Sequence, residues 1–124
     1  MGLISTLKGN AGQVSNSELD KEFGKLMASD EKIEAGYKVI RDLVIFTNKR
    51  LILIDKQGVT AKKIEYLSIF YNSITRFSIE TEGHMDLDAE LKIWISGKQD
   101  PVLNKTFDED VNVYELQKII AGNI

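Results

Sequence analysis

Six ionisable residues stand at every second position between Glu80 and Glu90: Glu80, Glu82, His84, Asp86, Asp88 and Glu90. In an extended chain such residues share a face. Carboxylate oxygens with one imidazole are a donor set for a divalent cation, and a cation-dependent enzyme would be built on Glu82, His84, Asp86 and Asp88. Gly83, however, places a turn through Thr81-Glu82-Gly83-His84 and divides the set between two strands. A solvated, carboxylate-rich strand face explains the same residues, so no metal site is assigned. In a third reading Asp86, Asp88 and Glu90 meet basic residues of a neighbouring subunit and set register more than affinity. His84 is the only histidine. A catalytic base needs a nucleophile and a positioned partner beside it; with no cysteine and no serine motif nearby, His84 reads as an exposed turn residue.

The basic residues Lys38, Arg41, Lys49, Arg50, Lys56, Lys62 and Lys63 are spread along the chain rather than run together. Attraction to an anionic membrane draws on several clustered charges at about 1 kcal/mol each, which favours no lipid site here; Lys38, Arg41 and Lys49 are the residues such a site would use. Arg50 reads as one half of an ion pair, within the chain or across an interface. Trp94 lies among Asp88, Glu90 and Lys92 and is either covered by another element or held for a partner, since Trp is enriched at interface hot spots. Gly83 and Gly97 are isolated turn glycines, so there is no phosphate-cradling loop and no cofactor is assigned.

Composition narrows the classes further. Sixteen basic against nineteen acidic residues give a net charge of −3, which argues against non-specific nucleic-acid binding. At 124 residues the chain can build one core without disulfides or metal. The absence of cysteine is compatible with the reducing cytoplasm, and a cytoplasmic location is expected. No apolar run approaches the roughly 20 residues of a spanning helix. Gly2 with Thr6 matches the loose myristoylation pattern, but Leu3, Ile4 and Leu7 are better read as one face of a short docking helix.

The elements that must position these residues follow from periodicity. Ser15-Asn16-Ser17-Glu18 has the form of a capping box with Val14 as its staple. Leu19, Phe23, Leu26 and Met27 then recur at helical spacing, which predicts a helix from about Asn16 to Ala28. From Glu31 the period changes to two. Leu43–Phe46 and Leu51–Ile54 are apolar throughout and flank Asn48-Lys49, the pattern of a tight hairpin whose two faces are both buried. Leu43, Ile45, Phe46, Leu51, Leu53 and Ile54 are therefore expected in buried contacts, with cover from the N-terminal helix, a second subunit, or both. Strands are predicted over Lys62–Ile69, Ile74–Glu80 and a long alternating segment from Met85 to Ile95, then from Pro101 to Thr106. Tyr66, Phe70 and Tyr71 read as core and rim residues. Asp108, Glu109 and Asp110 read as the acidic first turn of a last helix carrying Val113, Leu116, Ile119 and Ile120 and stopping near Gly122. About seven short strands exceed a small open sheet, so two sheets or a partly closed barrel are expected, with a helix plugging one end.

Seven antiparallel strands closed by one C-terminal helix is the order of a pleckstrin-homology (PH) domain. Three segments carry a closer resemblance: Phe46-Thr47-Asn48-Lys49-Arg50-Leu51; Lys62-Lys63-Ile64-Glu65-Tyr66-Leu67-Ser68-Ile69; and Glu80-Thr81-Glu82-Gly83-His84-Met85-Asp86-Leu87-Asp88-Ala89-Glu90-Leu91. In order, they resemble the small bacterial PH-like family over nearly the whole chain. The resemblance implies a seven-stranded PH-like barrel or sandwich over residues 31–124, with residues 1–30 as an N-terminal helical extension. It implies assembly into a cyclic homo-oligomer, a pentamer for a bare domain, and a polar surface for an unidentified protein partner where strands of adjacent protomers meet. It implies no enzyme activity. Lipid-binding PH domains concentrate basic residues in the first strand, loop and second strand; here that region holds only Lys38 and Arg41, with Asp42 beside them. The interaction surface is thus expected at Asp86, Asp88, Glu90 and Trp94, with Lys49 and Arg50.

Overall fold

A hairpin that is apolar on both faces sits at the centre of the structure. In the computed structural model, which describes residues 12–39, 42–57, 63–81, 89–109 and 111–124, β3 (Asp42–Thr47) and β4 (Arg50–Gln57) pair antiparallel across Asn48-Lys49. On β3's far side lie β2 (Ile33–Val39) and the short β1 (Gly12–Val14), and on β4's far side lies β5 (Lys63–Phe70). These make a five-stranded sheet in the order β1-β2-β3-β4-β5. A second sheet, β6-β7-β8, comprises Ile74–Glu80, Ala89–Ile95 and Leu103–Phe107, all antiparallel. Among the described residues no strand pairing joins the sheets, so the arrangement is an open sandwich rather than a closed barrel.

Alternation sorts the hairpin residues between two cores. Val44, Phe46 and Leu51, with half-buried Leu53, face the second sheet and join Ala35, Tyr37, Leu91, Ile93, Leu103 and Phe107. The C-terminal helix α2 (Val113–Gly122) closes this space by inserting Leu116 and Ile120, both fully buried. Tyr37 stands edge-on to Phe46 and Phe107, at centroid distances of 5.9 and 5.0 Å, geometries that aromatic quadrupoles favour. Leu43, Ile45, Ile52 and Ile54 face the other way and meet Leu19, Phe23 and Ile33. The cover for the second face thus comes from within the chain, and these hairpin residues are buried in the single protomer.

The covering helix α1 (Asn16–Phe23) starts as the capping box predicts, with Ser15 Oγ accepting from the Glu18 N–H. It is shorter than predicted. A 3-10 turn over Gly24–Leu26 follows, and Met27 is already extended, because the chain must swing Leu26 and Glu31 toward the hairpin turn. Three other expectations are corrected. Gly12–Val14, where no strand is predicted, is a strand paired with β2. Asp108, Glu109 and Asp110 do not form the first turn of α2: Asp108 is buried in the turn after β8, Asp110 lies outside the described residues, and the helix starts at Val113, capped by Asn112, whose Oδ1 accepts from the Tyr114 and Glu115 N–H groups. Pro101 precedes β8 rather than opening it.

Gly36 sets how closely α1 approaches. It lies on β2 beneath Leu19, and a Cβ there would overlap the Leu19 Cδ1 methyl. Leu19 is almost completely enclosed, so that methyl has nowhere to go. Gly36→Ala is expected to cost about 1–3 kcal/mol by overpacking, and Leu19→Ala about 2–5 kcal/mol by cavity formation. In urea unfolding the double variant should lose clearly less than the sum of the two, because the new methyl partly fills the vacated space. Simple additivity would show that Gly36 does not set this contact.

Candidate functional site

The polar residues of the hairpin turn are drawn inward, onto residues 26–32. Arg50 Nε and Nη2 bind Glu31 Oε2 and Oε1 at 2.9 and 3.0 Å, a two-pronged pair that matches guanidinium to carboxylate geometry. Nη2 also donates to the Leu26 carbonyl (2.8 Å) and Nη1 to Ser68 Oγ (2.9 Å). The Glu31 side chain is 1% exposed and Arg50 21%. Such a burial stabilises only when the remaining lone pairs find donors. They do: Thr47 Oγ1 donates to Glu31 Oε2 (2.6 Å) and the Ala28 N–H to Oε1 (3.0 Å). Thr47 also accepts from the Lys49 and Arg50 N–H groups, and its carbonyl accepts from the buried Tyr71 hydroxyl (2.7 Å). Asn48 completes the clamp by accepting from the Lys32 N–H and donating to the Asp30 carbonyl.

Thr47-Asn48-Lys49-Arg50 is therefore a fastener between the hairpin and the segment that follows α1. Arg50 is spent inside the chain. Lys49 pairs with Asp30 at 3.1 Å in a solvent-exposed contact of the kind that contributes little. Its ammonium nevertheless holds the Asp30 carboxyl below its ordinary range. The roles of Thr47, Asn48 and Glu31 escape a reading by periodicity. The available signal is a run of three hydrogen-bonding side chains, Thr47-Asn48-Lys49, at and just before a turn only two residues long.

The expected surface on the second sheet is described in part. Asp86 and Asp88, like Glu82 and His84, lie outside the described residues, as does Arg41. Glu90 and Trp94 both stand on the outer face of β7, with Lys92 between them and 3.7 Å from Glu90. Trp94 is half-buried, and within the chain it is covered by a neighbouring strand. Arg76, directly opposite on β6, lays its guanidinium 4.4 Å from the ring centroid, a cation–π contact. Among the described residues no group of three or more carboxylate or imidazole side chains is placed to hold a metal ion. No helix among them is long and apolar enough to cross a membrane.

The largest departure from expectation is on β5. Tyr71 is buried, but Tyr66 and Phe70, expected in core or rim, are 48% and 55% exposed, and Ile64 is 41% exposed. These three share the outer face of β5, beyond the reach of α1, on a strand whose far edge has no partner among the described residues. Lys63–Phe70 shows no clean alternation, so its faces could not be assigned from sequence.

Comparison with known proteins gives a consistent picture. The family model described as bacterial PH domain matches residues 2–124. The chain is 51% identical over 122 residues to the uncharacterized protein YjqA of Bacillus subtilis, covering 98% of each. It is similar to the crystal structure of a DUF1696 family protein with a pleckstrin-homology domain from Shewanella loihica, with TM-score 0.81, 51% identity, and 94% and 99% of the two chains covered. A pleckstrin homology domain from Shewanella amazonensis matches with TM-score 0.67 and 47% identity, over 98% of each chain.

Two outcomes are expected for the clamp. Arg50→Ala leaves Glu31 charged and buried without its partner, and chemical denaturation should register a loss of about 3–5 kcal/mol. Arg50→Lys should recover little, because one ammonium cannot span the Glu31, Leu26 and Ser68 acceptors. The second outcome concerns pH. Burial raises the Glu31 pKa, but hydrogen bonds from Arg50, Thr47 and the Ala28 N–H outweigh it and hold the carboxyl at about 2, against an ordinary 4.5. The stabilisation is thus complete above pH 4.5 and is lost as pH falls toward 2. The Glu31→Gln variant should show a flatter pH dependence of stability across that window; an unchanged profile would remove the clamp from acid unfolding.

Proposed function

Because the chain belongs to the bacterial PH domain family, we propose that it is a non-catalytic binding module that assembles with copies of itself and offers a polar surface to a protein partner. The observation that carries this reading is the outer face of β5. An exposed edge strand bearing Ile64, Tyr66 and Phe70 is an aggregation liability unless something pairs with it. A second copy is the occupant that removes the liability for every molecule at once. The hairpin residues Leu43, Ile45, Phe46, Leu51 and Ile54 are enclosed by the protomer itself and Leu53 is half-buried in it, so the interface is not assigned to them.

A head-to-tail contact joins two different surfaces and closes into a ring when the rotation permits. A cyclic assembly, with the pentamer as its expected size, fits a chain whose two sheets both end, among the described residues, in unpaired edges. Within it the outer face of β6 and β7, with Arg76, Glu90, Lys92 and Trp94, remains wet and is the surface for a further protein. The cation–π pair supplies an aromatic anchor there. A cytoplasmic location belongs to the same reading.

Light scattering coupled to size-exclusion chromatography tests it. The wild type should run as a single species of several protomers over a wide concentration range. Ile64→Lys with Tyr66→Glu should give a monomer with an unchanged circular dichroism spectrum. A wild type that stays monomeric and folded at high concentration would overturn the assembly.

A further inference from the structure

The inner face of the five-stranded sheet changes character toward one end. Along β3, β4 and β5 the inward positions run from Phe46, Leu51 and Ile69, through Val44, Leu53 and Leu67, to Asp42, Asp55 and Glu65. At this end the two sheets part and enclose a cavity of about 290 Å³. It is lined by Val44, Leu53 and Leu67 of the first sheet, by Val102 to Lys105 on the β8 side, and by the three carboxylates. Asp55 and Glu65 are direct cross-strand partners. Like charges in that relation destabilise a sheet. Asp42 Oδ1 accepts from the Lys56 N–H, whereas neither the Asp55 nor the Glu65 carboxylate has a partner among the described residues. Among the described residues Lys105 is the only cationic side chain in the lining.

We propose that this cavity binds a lysine or arginine side chain presented by an extended segment of a partner protein. The size is at the low end of ligand pockets, roughly 300–1,000 Å³, which suits one long side chain. The two parts of such a residue match the two parts of the site. Its aliphatic stem lies on Val44, Leu53 and Leu67, and its charged head meets Asp42, Asp55 and Glu65 and relieves their repulsion. The backbone that carries it has a place as well. The outer edge of β8 has no strand partner among the described residues and borders the cavity at Val102 to Lys105, so an extended segment adds to it by main-chain hydrogen bonds. A phosphate-bearing head group is refused by the same carboxylates. The site is independent of the β5 stripe.

A titration followed by amide NMR tests the proposal, using the capped pentapeptide Thr-Val-Arg-Val-Thr and a counterpart with glutamate at its centre. The arginine peptide should move the amides of Val44, Leu53, Asp55, Leu67 and Leu103. Glutamate at the centre, or the double variant Asp55→Asn with Glu65→Gln, should weaken binding by at least about ten-fold. The spectrum of the free variant verifies that its fold is kept. Equal binding of the two peptides, no binding of the arginine peptide, or shifts confined to Ile64, Tyr66 and Phe70 would each overturn it.

Discussion

A two-residue turn joins strands that are apolar on both faces, and everything else in the structure answers to that. A sheet built on β3 and β4 has no wet side at its centre, so two layers must be supplied, one for each face. The second sheet and α2 provide one by placing Leu91, Ile93, Leu116 and Ile120 against Val44, Phe46 and Leu51. The other comes from α1, with Leu19 and Phe23 set against Leu43, Ile45, Ile52 and Ile54. An eight-residue helix is too short to be stable alone. It holds its place because it is caught at both ends: β1 pairs with β2 before it, and the Arg50–Glu31 clamp fastens the chain after it.

That clamp gives a physical meaning to the turn sequence. Each of Thr47, Asn48 and Arg50 bonds to the segment between Leu26 and Lys32. The buried charge of Glu31 is tolerated because Arg50, Thr47 and the Ala28 N–H all point at it. The energy of the site goes into fixing the register between the extension and the hairpin.

Much of the architecture was legible where a single period ruled. The capping box, the hairpin and the alternation of Ala89 to Ile95 each follow from spacing alone, and the doubly apolar strands demanded a cover before one was seen. Where two demands met in one segment, the sequence was ambiguous. β5 turns Ile69 to the core and Glu65 to the cavity mouth on one face, and Ile64, Tyr66 and Phe70 to solvent on the other, so neither face reads as dry. The helix ended at Phe23 and not at Ala28 because the distant Arg50 claims the Leu26 carbonyl, which no local pattern encodes. Arg50 reads in the sequence as one half of an ion pair, but its partner could not be named there, since Glu31 lies nineteen residues earlier.

The two cores also differ in when their parts exist. Every member of the outer cluster, from Leu19 to Ile54, falls in the first half of the chain, whereas the inner one is complete only with Leu116 and Ile120. During synthesis, which proceeds at about 5–20 residues per second, the helix and both hairpin strands emerge before any of the second sheet has been made. For that interval Val44, Phe46 and Leu51 form a naked apolar surface on a half-made chain. The nascent protein is therefore asymmetric in time: one side of its central hairpin can be sealed early, and the other is left for chaperones or for speed to protect.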